Sequence, residues 1–539
     1  MSTFHSSFVL AQPTNTPLLP TGIFKLMQEI PYDVWRCIAE FLPTEDLKRL
    51  YSVNRAFLNI SLDERYRVAY IGPPGSISTE RNLNTLIDPK LTSRVRDFTF
   101  KPGSLCKLLD DKSILKGPSN SNTVTTLLND FERLDIAPQR RRAFPSQLMN
   151  SYTLPVDAVH KNVLRIFKQM INLTSLRIVL DKGELRHFKP PSSTYFSVGW
   201  ATFGSNLKSL DLRIPLEYIE NVLPANGAIL TNLQNLSLQI IRESITTDAS
   251  TVFLEKILPF VNAHSSTLRS LSFDIAEQMD LTPVLQQIDH IHTLQIFKLK
   301  SIFMNYDQTG ISGLEQFLQK HRVHLTALHL EIDAAFGLDP VLHPSFFAQH
   351  CFHITLPALR DLYVRFYRFP VQYSIDLIPF ALQFSTTLQS LAIIERSWEM
   401  DHIRLLLDGL TSNSPLRELK LKMIILEASI IEAFASCLPN LVTLGILFHD
   451  IGPDGFSDPP TNTMPLFADE MRRLNFPTWR LRELNLVSPL HLMQSQMTNF
   501  KHALVGALPS VQRFCGLTPE EYLKTREFMD YFVEASKGF

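Results

Sequence analysis

A chain of 539 residues with 52 basic and 53 acidic side chains, 45% hydrophobic and 10% aromatic, has a folded protein's composition and excludes the disordered and fibrous classes. A net charge of -1 gives no global pull towards nucleic acid or an anionic membrane, and the length predicts about two to four ordinary domains or one long repeat array. Five widely spaced cysteines (Cys37, Cys106, Cys351, Cys437, Cys515), with no CxxC pair, argue against a disulfide framework and suit a reducing compartment, the cytoplasm or the nucleus.

Residues 1–25 are expected to be a disordered tail. The first 22 are rich in Ser, Thr and Pro and lack Lys and Arg, which fits neither a signal peptide nor a mitochondrial leader. The stretch IPYDVWRCIAEFLPTEDLKRL, Ile30 to Leu50, then reads as two short helices broken at Pro43. Pro31 suits the opening of the first. Val34, Ile38, Phe41 and Leu42 fall on one face, widened by Trp35. Thr44 is placed to cap the second helix, with Glu45 and Asp46 in its first turn and Leu47 and Leu50 on its apolar side. A third helix follows, with Val53, Ala56, Phe57 and Ile60 at helical spacing. A unit of about 40 residues with no disulfide or metal is close to the lower size limit for independent folding. Its apolar surface predicts docking on the next segment or on another protein.

The body carries a recurring phrase, LxxLxL or a close variant. It starts at Leu173, Leu207, Leu233, Leu268, Leu294, Leu325, Leu359, Leu388, Leu416, Leu441 and Leu481, with a mean spacing of about 31 residues, and weaker copies start at Val95, Phe131 and Val511. The last two apolar positions of the phrase are two apart and point to one side of a strand. Segments with helical period lie between, such as VFLEKILPFVNAHSST and IIEAFASCLPN. The expected fold is therefore α/β, a repeat solenoid over residues 90–517 with a parallel sheet on its inner wall and helices outside. The consensus Asn or Cys after the phrase is missing from nearly all copies, which predicts irregular repeats and long loops. A capping helix is expected over 518–539, with Thr518 as N-cap, Pro519 in the first turn and Glu521 completing a capping box. Phe528, Tyr531 and Phe532 are placed to shield the last repeat.

The segment from Glu29 to Ile60, within an N-terminal unit at 26–70, resembles an F-box. The matching positions are Ile30-Pro31, Asp33-Val34, Ile38, Leu42-Pro43, Asp46-Leu47, Leu50, Val53, Arg55 and Phe57. Ile30 stands for the usual Leu, Asn54 for Cys or Ser, and Phe57 for the frequent Trp. An F-box ahead of leucine-rich repeats is itself a known family arrangement. The resemblance implies docking on the Skp-type adaptor of a cullin–RING (SCF) ubiquitin ligase through Ile30, Pro31, Val34, Ile38, Leu42, Pro43, Leu47, Leu50, Val53 and Phe57. These residues serve equally as the unit's own core. The repeats would hold a protein substrate of unknown identity, and the chain itself would do no bond chemistry. A scaffold with no role in ubiquitin transfer is the alternative.

Outward strand positions include Arg177, Asp211, Arg213, Asp274, Lys298 and Lys300, then His329, Glu331, Tyr363, Arg365, Lys420 and Lys422. Read functionally they are a substrate surface; read plainly they are a solvated face of mixed charge. The pairs Lys298/Lys300 and Lys420/Lys422 would suit an acidic or phosphorylated segment. His343, His350, Cys351 and His353 are too loosely placed for a metal site, and Asp450, Asp454 and Asp458 lack calcium-loop spacing. Arg140–Arg142 read as an exposed loop. The uncharged run Leu377 to Ile394 is too polar to span a bilayer. No P-loop, GxSxG or HExxH occurs, so no catalytic residue, metal or cofactor is assigned.

Overall fold

The computed structural model describes residues 30–72, 77–102, 156–180, 193–224, 230–241, 249–303, 309–334, 349–367, 377–410, 414–451, 464–487 and 494–525. The expected tail at 1–25, the weak copy at Phe131, Arg140–Arg142 and the three aromatic residues Phe528, Tyr531 and Phe532 lie outside them.

Three helices open the described chain: α1 (Tyr32–Glu40), α2 (Thr44–Arg49) and α3 (Arg55–Tyr66), with one 3-10 turn at Leu50–Ser52. The expected caps are shifted by one residue. Pro43 takes the N-cap position of α2, and Thr44 is its first helical residue. At α3 the side chain of Asn54 accepts from the Phe57 N–H at 2.8 Å, so the Asn that departs from the F-box pattern supplies the cap.

The rest is one parallel sheet of 14 strands, each hydrogen-bonded to its sequence neighbours. The strands are β1 (Val68–Ile71), β2 (Asp97–Phe100), β3 (Ser175–Val179), β4 (Ser209–Pro215), β5 (Asn235–Ile241), β6 (Ser270–Gln278) and β7 (Ile296–Phe303). They continue as β8 (Ala327–Ala334), β9 (Asp361–Tyr367), β10 (Ser390–Trp398), β11 (Glu418–Leu426), β12 (Thr443–Ile451), β13 (Glu483–Val487) and β14 (Arg513–Phe514). Every LxxLxL phrase from Leu173 to Leu481 opens a strand two residues after its first Leu. The register aligns the phrases, so that Leu176, Leu210, Leu236 and Leu271 form one buried row and Ile178, Leu212, Leu238 and Phe273 the next. Helices such as Val156–Gln169 and Thr309–His321 cover that face and share one continuous core with it. The result is an α/β repeat array with one strand per repeat, consistent with a leucine-rich-repeat solenoid.

The sheet begins earlier than residue 90. β1 begins within the range read as the F-box unit, and its core positions are Ala69 and Ile71, without the leading Leu that marks β3 to β13. The consensus Asn after the phrase is replaced by an Asn just before it. The side-chain amide of Asn172 donates to the Ser93 carbonyl, that of Asn206 to Ile171 and that of Asn232 to Ser205. Each bond ties a turn to the preceding repeat; the Ser93 carbonyl is half-buried, and those of Ile171 and Ser205 lie at the surface. Two histidines do the same work deeper in. His264 Nε2 accepts from the Leu230 N–H at 3.1 Å, and His321 Nε2 from the Ile291 N–H at 3.0 Å.

One helical segment is irregular for a clear reason. The run expected to be helical from Val252 contains a π turn, Phe253–Ile257, immediately before Leu258–Ala263. Pro259 has no N–H to bond one turn back, and the helix widens there to accommodate it. Close packing is visible at Gly313, where a Cβ would lie 2.6 Å from the Thr282 carbonyl oxygen.

The N-terminal helices have a small core of their own, Trp35, Ala39, Leu47, Phe57 and Ile60, with Trp35 and Phe57 edge to face at 5.1 Å. They dock on the array through α3. Arg94, in the turn before β2, donates to the Asn59 carbonyl at 3.0 Å and to Asn59 Oδ1 at 3.2 Å, and pairs with Asp63. The Tyr32 hydroxyl donates to the other oxygen of Asp63 at 3.3 Å. Arg94→Ala removes its bonds to Asn59 and Asp63, a loss of roughly 1–3 kcal/mol in total once solvent screening of the half-exposed Asp63 pair is allowed for. Faster amide hydrogen exchange in α3, with the amides of β4 unchanged, is the expected result; equal protection of α3 in both proteins would contradict it.

At the end of the array the expected capping box is present, on a helix of six residues that ends at Lys524; the remainder of the helix expected to reach 539 lies outside the described residues. Thr518 and Glu521 form the complete capping box of Pro519–Lys524. Tyr522 is buried and stacks on Phe514 of β14 at 5.1 Å, covering the last strand.

Candidate functional site

The apolar residues of α1 divide into two stripes. Trp35 and Ala39, four apart, point into the unit's core. Val34, Ile38 and Phe41, at i, i+4 and i+7, form the adjacent stripe and face solvent at 46%, 40% and 89% exposure. Tyr51 and Val53, in and beside the 3-10 turn, are also exposed. Monomeric proteins rarely leave apolar residues gathered in this way without a use.

Against that division, the residues implied as adaptor contacts fall into three groups. Pro31, Val34, Ile38, Pro43 and Val53 are exposed. Ile30, Leu42 and Leu50 are half-buried and pack against the small core. Leu47 and Phe57 are buried within it, Leu47 at 6% exposure, and hold the unit together rather than present a surface. Phe41 and Tyr51 were not among the implied contacts. Spacing puts Phe41 on one apolar face with Leu42 and Trp35, and the structure divides that face: Phe41 is exposed while Trp35 and Leu42 pack on the small core, a division that nothing in the sequence marks.

The second surface is the sheet face opposite the helices. Strand register brings the outward candidates into two rows. One holds Arg177, Asp211, Ser237, Ser272, Lys298, His329, Tyr363, Ala392 and Lys420 on successive strands. The other holds Arg213, Gln239, Asp274, Lys300, Glu331 and Arg365. Lys422 lies next to Leu447 on β12. The sequence candidates are therefore neighbours in space.

Most of these charges are already engaged. Arg177 Nε sits 3.1 Å from Asp211 Oδ2, Lys300 Nζ 3.0 Å from Glu331 Oε1, and Arg365 Nη1 3.7 Å from the same oxygen. Lys420 Nζ is 3.1 Å from Glu418 Oε1. Gln239 donates to Asp274 at 2.8 Å. Burial raises the Asp211 carboxyl despite Arg177, and raises Asp274 despite Lys300. Burial works against the charge on Lys300, but Asp274 and Glu331 outweigh it and its pKa rises. His329 stacks on Tyr363 at 5.5 Å, and burial with the nearby Lys298 charge pushes it down to about 4. It is neutral at physiological pH and offers an aromatic face. The centre of this wall is an aromatic pair flanked by an internally paired charge network, which leaves Lys300 and Lys420 less available to an anionic ligand than their spacing implies. Among the candidates on β7, Lys298 makes no ion pair within the described residues.

His350 and His353 flank the buried Cys351, whose thiol burial pushes up; His343 lies outside the described residues. Among the described residues no group of three or more His, Cys, Asp and Glu is placed to hold a metal ion. Asp450 bonds the Ile451 N–H, and Asp454 and Asp458 lie outside the described residues. The run from Leu377 forms a six-residue helix, Leu377–Leu382, and then enters β10; no described helix is long and apolar enough to cross a membrane.

The fold and these two surfaces define an α/β repeat protein with a helical unit docked at its N-terminal end. No family model and no curated protein matches the chain. Among solved structures it is similar to the leucine-rich repeat-containing protein LegL7 from Legionella pneumophila, with 13% identity and a TM-score of 0.28 over 65% of this chain and 86% of that one. The fold of this chain is defined by its own strand order and register.

Proposed function

We propose that this chain is a substrate-recognition subunit of an SCF-type ubiquitin ligase. In this reading α1 and the 3-10 turn bind the Skp-type adaptor, and the repeat wall binds the protein to be modified. The chain positions its target and is not itself a catalyst. The observation that carries the reading is the solvent-facing stripe Val34, Ile38 and Phe41, on a unit that already has a closed core and is already fastened to the repeats. Docking on the array accounts for α3 and leaves this stripe uncovered among the described residues. Its position within the F-box-like segment supplies the partner class.

The reading is tested by co-purification from cells treated with a proteasome inhibitor. A substrate receptor brings down adaptor and cullin together, and a bound partner accumulates under inhibition. Adaptor without cullin, or neither, would leave an interaction scaffold.

A further inference from the structure

The last five strands carry a groove distinct from both surfaces above. Immediately before each strand lies a residue whose carbonyl accepts from two successive N–H groups of the next repeat. Gln389 receives Arg417 and Glu418; Arg417 receives Val442 and Thr443; Val442 receives Arg482 and Glu483; Arg482 receives Gln512 and Arg513. This ladder sets Gln389, Arg417, Val442, Arg482 and Gln512 side by side at neighbouring-strand spacing, about 4.8 Å per step. The same residues floor a groove of about 800 Å³. Residues of the preceding turns, Ser414, Pro415, Asn440, Arg480 and Ser510, also line it.

Three arginines, Arg417, Arg480 and Arg482, line this space, and no Asp or Glu is among the described residues that line it. Arg480 donates to Asn440 Oδ1 at 3.2 Å. Arg417 and Arg482 make no ion pair among the described residues, in contrast to the paired charges on the open sheet face. The carboxylates next in sequence are committed elsewhere. Glu418 takes Lys420 and the Ser390 hydroxyl, and Glu483 takes the Asn485 amide. Ser510 Oγ is buried and has no hydrogen-bond partner among the described residues.

We propose that this groove binds a phosphate ester. Guanidinium groups present paired donors that match the oxygens of phosphate, and three arginines lining one groove with no acidic residue among its described lining give it a positive potential that an anion would neutralise. The amides of Gln389, Asn440 and Gln512 extend the donor set. A phosphate monoester brings close to two charges and three acceptor oxygens to one point, which a lone carboxylate does not. The volume lies within the range of small-ligand sites, about 300–1,000 Å³. The inference is independent of adaptor binding, since the groove lies at the opposite end of the array from α1.

The test is fluorescence anisotropy with the full chain at low and physiological salt. A labelled phosphoserine peptide, its unphosphorylated counterpart and unlabelled tripolyphosphate as competitor are the probes. Saturable binding of the phosphopeptide, at least ten-fold weaker for the unphosphorylated form, assigns the site to a phosphorylated side chain. Competition of tripolyphosphate for an anionic dye, with no preference between the peptides, assigns it to a small soluble polyphosphate. Either binding must fall at least ten-fold in Arg417→Glu/Arg482→Glu, and in the milder Arg417→Gln/Arg482→Gln, with the unfolding midpoint unchanged. No binding of either probe, or binding that survives both double variants, overturns the proposal.

Discussion

Val34→Asp combined with Ile38→Asp is expected to abolish capture of a Skp-type adaptor while leaving the chain folded. Both side chains face solvent in the isolated chain, so charging them costs the fold little, within about 0.5 kcal/mol each. In a dry interface the same changes remove apolar contact and bury carboxylates, at about 2 kcal/mol or more each, or at least 100-fold together in affinity. Leu47→Asp is the informative contrast. Leu47 lies in the small core with Trp35 and Phe57, and a carboxylate there costs on the order of 3 kcal/mol or more. That variant should also lose the adaptor, but by unfolding the unit, seen as lost protection of α1 to α3 in hydrogen exchange. Limited proteolysis and exchange separate the two causes. Adaptor capture retained by Val34→Asp/Ile38→Asp would sink the proposed face.

The second large effect concerns pH. His321 is buried; its Nε2 accepts from the Ile291 N–H, and Nδ1 bonds the Phe317 carbonyl at 2.7 Å. That arrangement requires a neutral ring with its proton on Nδ1. Burial pushes its pKa down to about 4, against the Phe317 carbonyl, which favours the charged form, and with the His290 and Lys320 charges adding to the fall. His264 has the same arrangement, and burial lowers its pKa also. A depressed folded pKa means that the unfolded chain takes up protons first as pH falls. The stabilisation is complete above about 6.5 and is lost between about 6.5 and 4, with His321 contributing about 3 kcal/mol over that window. Urea unfolding is expected to show a midpoint that drops steeply from pH 7 to 4.5. His321→Leu should lower stability at pH 7 by about 1–3 kcal/mol, because the Ile291 N–H is left buried and unpaired, and should flatten the pH dependence. An equally steep pH dependence in that variant would contradict the assignment.

The repeats were legible because the phrase is a direct imprint of geometry. Two apolar side chains two residues apart must share a strand face, and the preceding Leu closes the turn. β1 carries no such imprint, because Tyr66 and Ala69 stand at the first and second Leu positions of the phrase. The repeat-to-repeat bonds were not visible, since His264, His321 and the Asn residues before the phrases look like ordinary loop polar residues until the fold places a carbonyl or N–H beside them. The N-terminal helices were legible as elements, while the partition of their apolar residues was not. Helical spacing puts Val34 and Trp35 only about 100° apart, and only packing decides which of the two stripes faces inward. The outward charges were placed on the correct wall, but their ion pairs depend on register between repeats more than 30 residues apart. The arginine groove depends on the same register, and no local motif marks it.

Calorimetric titration of the purified chain with a purified Skp-type adaptor decides whether α1 is an adaptor-binding face. Saturable one-to-one binding is expected, with Kd of about 1 µM or tighter, reduced at least 100-fold by Val34→Asp/Ile38→Asp and unchanged by Arg417→Glu/Arg482→Glu. No binding, or equal affinity in wild type and the Val34→Asp/Ile38→Asp variant, would contradict it.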